Sequence, residues 1–144
     1  MKKSMLALSL LLCIGCSPKE VENQEVKKEL DYDLIESRKI KWIDIFEMNE
    51  DRYLVYFYSP YCGYCKQVKK DILNYYLLGK DEMYFVDTIE EEASYGRPAE
   101  DVMGVNDINC FYIAGTPTLV EITKWTVTNL YVGLDNIKLF LQNA

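Results

Sequence analysis

Hydrophobic and polar residues follow clear periods near the middle of the chain. The run "YLVYFY" at 53–58 is continuously apolar and rich in β-forming residues, which predicts a central strand covered on both faces. The next stretch, "CGYCKQVKKDILNYYLL", keeps its lysines mostly away from one apolar stripe, and Gly79 follows it as a suitable stop. We therefore predict an amphipathic helix whose first turn contains two cysteines and whose inward stripe is Cys65, Val68, Ile72 and Tyr76.

Shorter patterns predict the other elements. "IKWIDIFEMNED" has apolar residues at helical spacing and predicts a first helix, whereas the acidic stretch 88–105 predicts helical pieces interrupted at 96–98. "EMYFVDT", "TPTLVEIT" and "TNLYVG" predict strands, the last two as an antiparallel pair. "LDNIKLFLQNA" predicts a closing helix. This order of elements is typical of an α/β domain with a mixed sheet.

The N-terminus has the pattern of an export signal. Lys2 and Lys3 precede an apolar run from Met5 to Leu12, which is too short to span a bilayer as a helix. The following "LCIGC" resembles a bacterial lipobox, with Cys13 where a leucine is usual. This resemblance implies cleavage before Cys16 and attachment of lipid to that cysteine. An ordinary secretory signal and an N-terminal membrane anchor are the alternatives.

The chain is therefore expected to have three parts. We predict a lipoprotein-type signal peptide at 1–15, a flexible tether at 16–36 and one compact domain at 37–144. The tether is expected because 16–36 is highly charged and lacks sustained apolar periodicity, and a short amphipathic helix is the alternative. An exported domain works outside the reducing cytosol, so close cysteines there form a disulfide unless something reduces them.

Composition narrows the classes of function. The chain of 144 residues carries 16 Lys and Arg against 23 Asp and Glu, giving a net charge of −7. This balance argues against a nucleic-acid partner, because binding to phosphates requires clustered cations. There is no histidine, which removes Cys–His nucleophile pairs and histidine-bearing zinc or copper sites.

Cys62 and Cys65, separated only by Gly-Tyr, are the strongest chemical signal. The N–H groups and the dipole at a helix start stabilise a thiolate, so we expect Cys62 to be the attacking thiol and Cys65 the more buried resolving thiol. A redox role is favoured over a metal site, which needs more ligands, and over a structural disulfide, which would close only a tiny loop. We expect no metal and no organic cofactor. Cys110 has no evident partner, and we expect a buried, inert thiol there, with a regulatory disulfide or a third exchange thiol as alternatives.

From about Lys39 to its end, the chain resembles the thioredoxin-like fold family. The resemblance rests on the strand followed by "CGYC" and a helix, on "GTPT" at 115–118 and on "VG" before the last helix. It implies a central mixed β-sheet flanked by helices, and a cis Pro117 beside the dithiol. It also implies that the backbone of Thr116 pairs with the substrate as a short extra strand. The expected substrate-binding residues are Thr116, Pro117, Tyr61 and Tyr64.

The details of these motifs point to a subfamily. "CGYC" with threonine before the proline is similar to Dsb-type disulfide isomerases, whereas typical thioredoxins have "CGPC" and isoleucine. Thioredoxins also carry a buried acid six residues before the first cysteine, which accepts the proton of the resolving thiol. This chain has Tyr56 at that position. Glu121 is a candidate substitute, although a solvated residue at the rim is the simpler interpretation.

The resemblance and the predicted export together imply a bacterial thiol–disulfide oxidoreductase, anchored by lipid on the extracytoplasmic face of the cell membrane. It would reduce or isomerise disulfides of exported proteins and exchange electrons with a membrane donor or acceptor. No cation lies between Cys62 and Cys65, so we expect a moderately lowered pKa for Cys62, which favours a reductase or isomerase over an oxidase. Similar isomerases usually add a dimerisation domain, for which this chain has no room, so a reductase is preferred. The alternative is a non-catalytic accessory lipoprotein, similar to accessory proteins of bacteriocin export.

Overall fold

A four-stranded β-sheet forms the centre of the computed structural model, which describes residues 30–144. Its strands are β1 at Arg52–Tyr58, β2 at Met83–Asp87, β3 at Thr118–Thr123 and β4 at Thr126–Val132. They lie in the order β2-β1-β3-β4, with β1 parallel to β2 and antiparallel to β3, and with β3 antiparallel to β4. The predicted α/β class and mixed sheet are therefore confirmed.

Two α-helices pack against one face of this sheet. Helix α1 spans Gly63–Leu78, and helix α2 spans Gly133–Asn143 at the end of the chain. Gly79 caps the C-terminal end of α1, and its φ of 63° lies in the left-handed region that favours glycine. The main core contains the inward residues of both helices, with Ile137 of α2 fully buried. Within residues 30–144, neither helix combines the length and the hydrophobicity that crossing a membrane requires.

Strand β1 is buried on both faces because its side chains alternate between two cores. One set faces the helices, and the other faces a second layer of irregular chain on the opposite side of the sheet. The central position predicted from the apolar run is confirmed. The set facing the helices is Leu54, Tyr56 and Tyr58, and the opposite set is Tyr53, Val55 and Phe57.

The second layer is built from the segments 40–50 and 89–114, which contain no α-helix. Short 3-10 helices occur within them at Trp42–Asp44, Ala99–Val102 and Ile108–Cys110. The predicted first helix is therefore wrong, because one 3-10 turn is enough to bring Ile45 and Phe46 into the core. The helical pieces predicted in the acidic stretch 88–105 reduce to the single turn at Ala99–Val102.

Residues before the predicted domain boundary at residue 37 also pack into the described fold. Tyr32–Arg38 forms a 3-10 helix, and the Asp31 carboxylate caps it by accepting a hydrogen bond from the Tyr32 N–H at 2.7 Å. Ile35 is fully buried in the core beside α1, so residues 30–36 pack as part of the domain rather than extending as a tether. The signal peptide at 1–15, the lipid-bearing Cys16 and the tether up to residue 29 lie outside the described residues.

Candidate active site

The two cysteines of "CGYC" lie where the buried strand β1 passes into helix α1. Cys62 is the N-cap residue of α1, with extended backbone angles (φ −78°, ψ 119°), and its Sγ accepts a hydrogen bond from the Cys65 N–H at 3.1 Å. The Sγ atom thus occupies the place where a side-chain oxygen usually caps a helix. Unpaired N–H groups and the positive end of the helix dipole favour negative charge at that atom.

Cys62 and Cys65 differ sharply in their access to solvent. Cys62 is half-buried, whereas Cys65, one turn further along α1, is 0% exposed and belongs to the core facing the helices. Both are free thiols. A molecule approaching from solvent therefore reaches the sulfur of Cys62 first and meets Cys65 only behind it.

The segment before β3 lies directly beside Cys62. Because Phe57 of β1 pairs with Thr118 of β3, the two residues before Thr118 extend past the end of β1 towards the start of α1. The Cys62 thiol donates a hydrogen bond to the Thr116 carbonyl oxygen at 3.3 Å. The Thr116–Pro117 peptide bond is cis, and the Pro117 carbonyl accepts a hydrogen bond from the Gly133 N–H at 2.8 Å. The structure thus brings together the dithiol and the proline motif that lie 54 residues apart along the chain.

Burial and hydrogen bonds act in opposite directions on the pKa of Cys62. Partial burial raises the pKa of Cys62, but donors outweigh this effect and lower the pKa below its ordinary value. These donors are the thiol of Cys65, the side chain of Thr116 and the backbone N–H groups of Cys65 and Tyr64. No cation is among these causes, so the lowering of the pKa comes from hydrogen bonds rather than from a neighbouring positive charge.

The pKa of Cys65 is shifted in the opposite direction. Burial raises the pKa of Cys65 to about 12, and its hydrogen bond to Cys62 contributes in the same direction. Cys65 therefore keeps its proton at neutral pH and donates a hydrogen bond to the Cys62 sulfur. The two sulfurs therefore differ in their protonation chemistry, since the pKa of Cys62 is lowered and that of Cys65 is raised.

The predicted substrate-binding tyrosines lie on the surface. Tyr61 and Tyr64 are 81% and 61% exposed, and they flank Cys62 on either side in the sequence. Pro117 is buried and Thr116 is half-buried. Tyr61 and Tyr64 are therefore exposed residues of the site, next to the half-buried Cys62 and Thr116.

Glu121 is not available as a proton acceptor for Cys65. It lies opposite Leu54, near the beginning of β1, whereas the cysteines follow the end of that strand. Its carboxylate accepts hydrogen bonds from the Arg52 Nε at 2.8 Å and from the Asn129 amide at 3.0 Å. The suggestion that Glu121 serves the dithiol is wrong for this reason.

Cys110 is exposed, which contradicts the expectation of a buried thiol. It is the last residue of the 3-10 helix Ile108–Cys110, and the next residue, Phe111, takes the inward position. Phe111 packs against Trp42 and Phe57 in the second core, so the backbone turn directs the neighbouring thiol outwards.

The sequence did not predict that Tyr32 packs against the core that contains Cys65. Tyr32, in the segment expected to be a tether, stacks on Tyr58 with ring centroids 4.1 Å apart and packs against the core that contains Cys65. The sequence around Tyr32 is highly charged and has no apolar periodicity that would predict a buried side chain. Tyr56 is fully buried in the same core, and the alternation of β1 would have placed its side chain on the face of α1.

Comparison with solved structures gives the fold. The chain is similar to mitochondrial thioredoxin 3 of Saccharomyces cerevisiae in its oxidised form, with 15% identity, a TM-score of 0.50, and coverage of 74% of this chain and 93% of the other. It is also similar to a thioredoxin of Trypanosoma brucei brucei, with 18% identity, a TM-score of 0.52, and coverage of 72% and 83%. No protein-family model and no curated protein matches the chain. The chain therefore has a thioredoxin-like fold.

Proposed function

We propose that this chain is a thiol–disulfide oxidoreductase that uses Cys62 as its nucleophile and Cys65 as its resolving thiol. The observation that carries the proposal is the capping geometry at α1. There the Cys62 Sγ accepts the Cys65 N–H at 3.1 Å, has a lowered pKa and remains accessible to solvent. A thioredoxin-like fold with two such cysteines supports this class of reaction.

The reaction consists of two thiol–disulfide exchanges. The Cys62 thiolate attacks one sulfur of a substrate disulfide, so a mixed disulfide forms and the other substrate sulfur leaves as a thiolate that takes a proton from solvent. The Cys65 sulfur then attacks Cys62, and the proton of Cys65 goes to the second substrate sulfur as it leaves. The substrate disulfide is reduced to two thiols, and the dithiol of the protein is oxidised to a disulfide.

The surroundings of Cys62 support a polypeptide substrate. The carbonyl oxygen of Thr116 lies 3.3 Å from the Cys62 sulfur, two residues before β3 begins, and we propose that an extended peptide adds there as a short strand. The exposed rings of Tyr61 and Tyr64 supply apolar area with polar tips on either side of the sulfur. We propose that an extended segment next to a disulfide lies along Thr116 with its side chains against these rings.

The way in which the Cys62 thiolate is stabilised supports one direction of electron flow over the other. Hydrogen bonds lower the pKa of Cys62, and the causes found among residues 30–144 include no positive charge, so we expect the reduced form to be stabilised less than in a strong oxidant. We therefore propose that the protein works as a reductase supplied with electrons by a membrane donor. The equilibrium potential of the Cys62–Cys65 couple against glutathione tests this direction, and a value near about −120 mV would identify an oxidase instead.

We further propose that the protein acts outside the cytoplasm on exported proteins, held to the membrane by lipid on Cys16. The "LCIGC" motif after a short apolar run supports this location. Replacing Cys16 with Ala should release the protein from membranes or block its maturation. Retention of the variant at the membrane with the same processed mass would show that something other than this lipid holds it.

Reduction of insulin by dithiothreitol tests the activity itself. The purified domain should accelerate the reaction, and the Cys62→Ser variant should not. Cys110→Ser is a matched control because it removes an exposed thiol away from the site, and it should retain the rate of the unmodified domain. If the domain gives no acceleration over Cys62→Ser, the activity proposal fails and a non-catalytic accessory role of the fold is favoured.

A further inference from the structure

Charge is distributed unevenly across the sheet. The second layer, at 40–50 and 89–114, carries nine acidic residues and two cations, whereas helix α1 on the opposite face carries three lysines and one aspartate. The second layer therefore has a net charge of −7 and α1 a net charge of +2. The described domain thus has one acidic side and one side on which α1 presents cations.

Two of the three lysines of α1 lie on one exposed line along the helix. Lys66 and Lys70 are one turn apart, and Leu77, two turns further on, continues the same line. All three residues are exposed, Leu77 by 56%. Neither Lys66 nor Lys70 forms an ion pair with another residue of 30–144. We call Lys66, Lys70 and Leu77 the lysine stripe.

The N-terminal segment of the described chain meets α1 beside the lysine stripe. Asp31 pairs with Lys69 of α1 at 3.3 Å. At the other end of the stripe, Leu77 lines a surface pocket together with Arg38, the last residue of the N-terminal 3-10 helix. The chain therefore enters the domain on the side of α1 that carries the stripe, and an anchor at Cys16 would hold the domain from this side.

The acidic residues near the lysine stripe leave most of its charge uncompensated. Glu36 of the N-terminal 3-10 helix pairs with Lys39 at 2.8 Å. Asp71 lies on the side of α1 that faces α2, where it lines a groove together with Lys138. Asp33 is exposed and is the one acid of the N-terminal 3-10 helix without an ion pair to residues 30–144. Between this 3-10 helix and α1, one unpaired acid thus stands against the two lysines of the stripe.

Building on the proposed lipid anchor at Cys16, we propose that the lysine stripe rests on a lipid surface with anionic headgroups and that the acidic second layer faces away from it. Such a surface attracts cations and repels acids, so the difference in charge across the sheet favours this orientation. The exposed leucine of the stripe can enter the headgroup region. A protein partner would need a larger apolar area at the centre of its interface than one leucine beside two lysines provides.

A weak attraction is sufficient for this orientation. Only residues 17–29 separate Cys16 from the described chain, so the anchor already holds the domain at the membrane and the stripe needs only to select one orientation. Two lysines near an anionic surface are expected to favour that orientation by about thirtyfold. Cys62 is the N-cap of α1, so a helix that lies along the surface holds the dithiol within about 12 Å of the headgroups. Disulfides presented at the membrane surface would then be its nearest substrates.

Chemical footprinting of a chain that is anchored without its own lipid tests this orientation. Residues 17–144 with an N-terminal hexahistidine tag are bound through a nickel-chelating lipid to vesicles of phosphatidylcholine, either alone or mixed with phosphatidylglycerol. The lysines are acetylated with N-hydroxysuccinimide acetate, and the rate at each lysine is measured by mass spectrometry. Lys66 and Lys70 should react at least about fivefold more slowly on the anionic vesicles, and salt at about 1 M should restore their rates. Lys41 in the second layer and Lys124 in the turn between β3 and β4 are both exposed and should keep their rates.

Matched charge variants provide a second measurement. Lys66→Gln/Lys70→Gln should lower the affinity of the tagged chain for the anionic vesicles by about thirtyfold and leave its affinity for the neutral vesicles unchanged. Lys41→Gln/Lys124→Gln removes the same charge elsewhere and should lower the affinity for the anionic vesicles by less than about threefold. Circular dichroism checks that both double variants keep the fold. Equal losses in the two double variants would show that only the net charge matters, and the proposal would be wrong.

The footprint also identifies other partners. Equal acetylation rates on both kinds of vesicle, or protection of Lys41 and Lys124 instead, would overturn the proposal. Protection of Lys66 and Lys70 in membranes of cells that produce the protein, but not on anionic vesicles, would assign the stripe to a protein partner and overturn it as well. The tag supplies the anchor and no redox step is measured, so the result holds whether or not Cys16 carries lipid, which the Cys16→Ala variant decides separately.

Discussion

Alkylation of the reduced, folded protein should distinguish its cysteines by rate, and the structure indicates by how much. Only the thiolate reacts, so the rate of each sulfur depends on its pKa and on its exposure. The pKa of Cys65 is raised to about 12 from an ordinary value of 9.0. At pH 7 this change reduces its thiolate fraction from about one in a hundred to about one in a hundred thousand. Its complete burial slows the reaction further.

The assay is a time course with iodoacetamide at pH 7, quenched with acid and read by mass spectrometry of the cysteine-containing peptides. Cys62 should be labelled fastest, because it is accessible and its pKa is lowered. Cys110, which is exposed, provides the internal reference for an accessible thiol. Cys65 should be labelled at least about a thousandfold more slowly than Cys62. In denaturant the differences should disappear, which shows that they come from the fold.

One result would refute this reasoning. If Cys65 reacts as fast as Cys62 in the folded protein, then burial does not protect it and the division into attacking and resolving thiols has no physical basis. If Cys62 reacts no faster than Cys110, the capping hydrogen bond from the Cys65 N–H does not activate it. Neither result could be attributed to unfolding if the far-ultraviolet circular dichroism remains that of the untreated protein.

Three further predictions concern roles and stability. Cys65→Ala should trap mixed disulfides with client proteins and Cys62→Ala should not; trapping by the second variant alone would reverse the two roles. The free energy of unfolding of the reduced protein should fall by at most about 4 kcal/mol as the pH rises from about 9 towards 12. The reason is that the folded chain holds the Cys65 proton more tightly than the unfolded chain does. Urea titrations should give a shallower loss in Cys65→Ala, and equal pH profiles would contradict the raised pKa. Arg52→Met should lower the free energy of unfolding by about 1–2 kcal/mol in the same titrations, because Glu121 and Asp81 lose their shared partner. Arg38→Met is the control, because it breaks one exposed ion pair with Glu82, and it should lower the free energy of unfolding by less than about 0.5 kcal/mol. Equal losses in the two arginine variants would show that the Arg52 network adds nothing.

The sequence predicted the elements whose identity depends on local pattern. The apolar run 53–58 is long enough and rich enough in β-forming residues that only a central strand can bury both of its faces. Helix α1 has its stripe, its cysteine cap and its glycine stop within a single segment. The first helix was mispredicted because a few apolar residues at helical spacing fit one 3-10 turn equally well.

The features that the sequence did not predict depend on register and on packing between distant segments. Glu121 is on the predicted strand, but only the pairing with Leu54 shows that it lies at the end of β1 away from the cysteines. The outward direction of Cys110 depends on Phe111 packing beneath it. The inclusion of Tyr32 in the core depends on a stacking contact with Tyr58, which no period in the charged N-terminal segment indicates.

The early start of the fold limits where the proposed enzyme can act. If lipid on Cys16 holds the chain, only residues 17–29 separate the anchor from the described domain, and a fully extended chain of that length spans at most about 45 Å. A tether reaching residue 36 would span at most about 70 Å. Because Ile35 and Tyr32 pack into the core beside α1, the shorter limit applies. Cys62 would then meet disulfides close to the membrane surface, and inserting a flexible segment between residues 17 and 29 should extend that reach without changing the rate of insulin reduction.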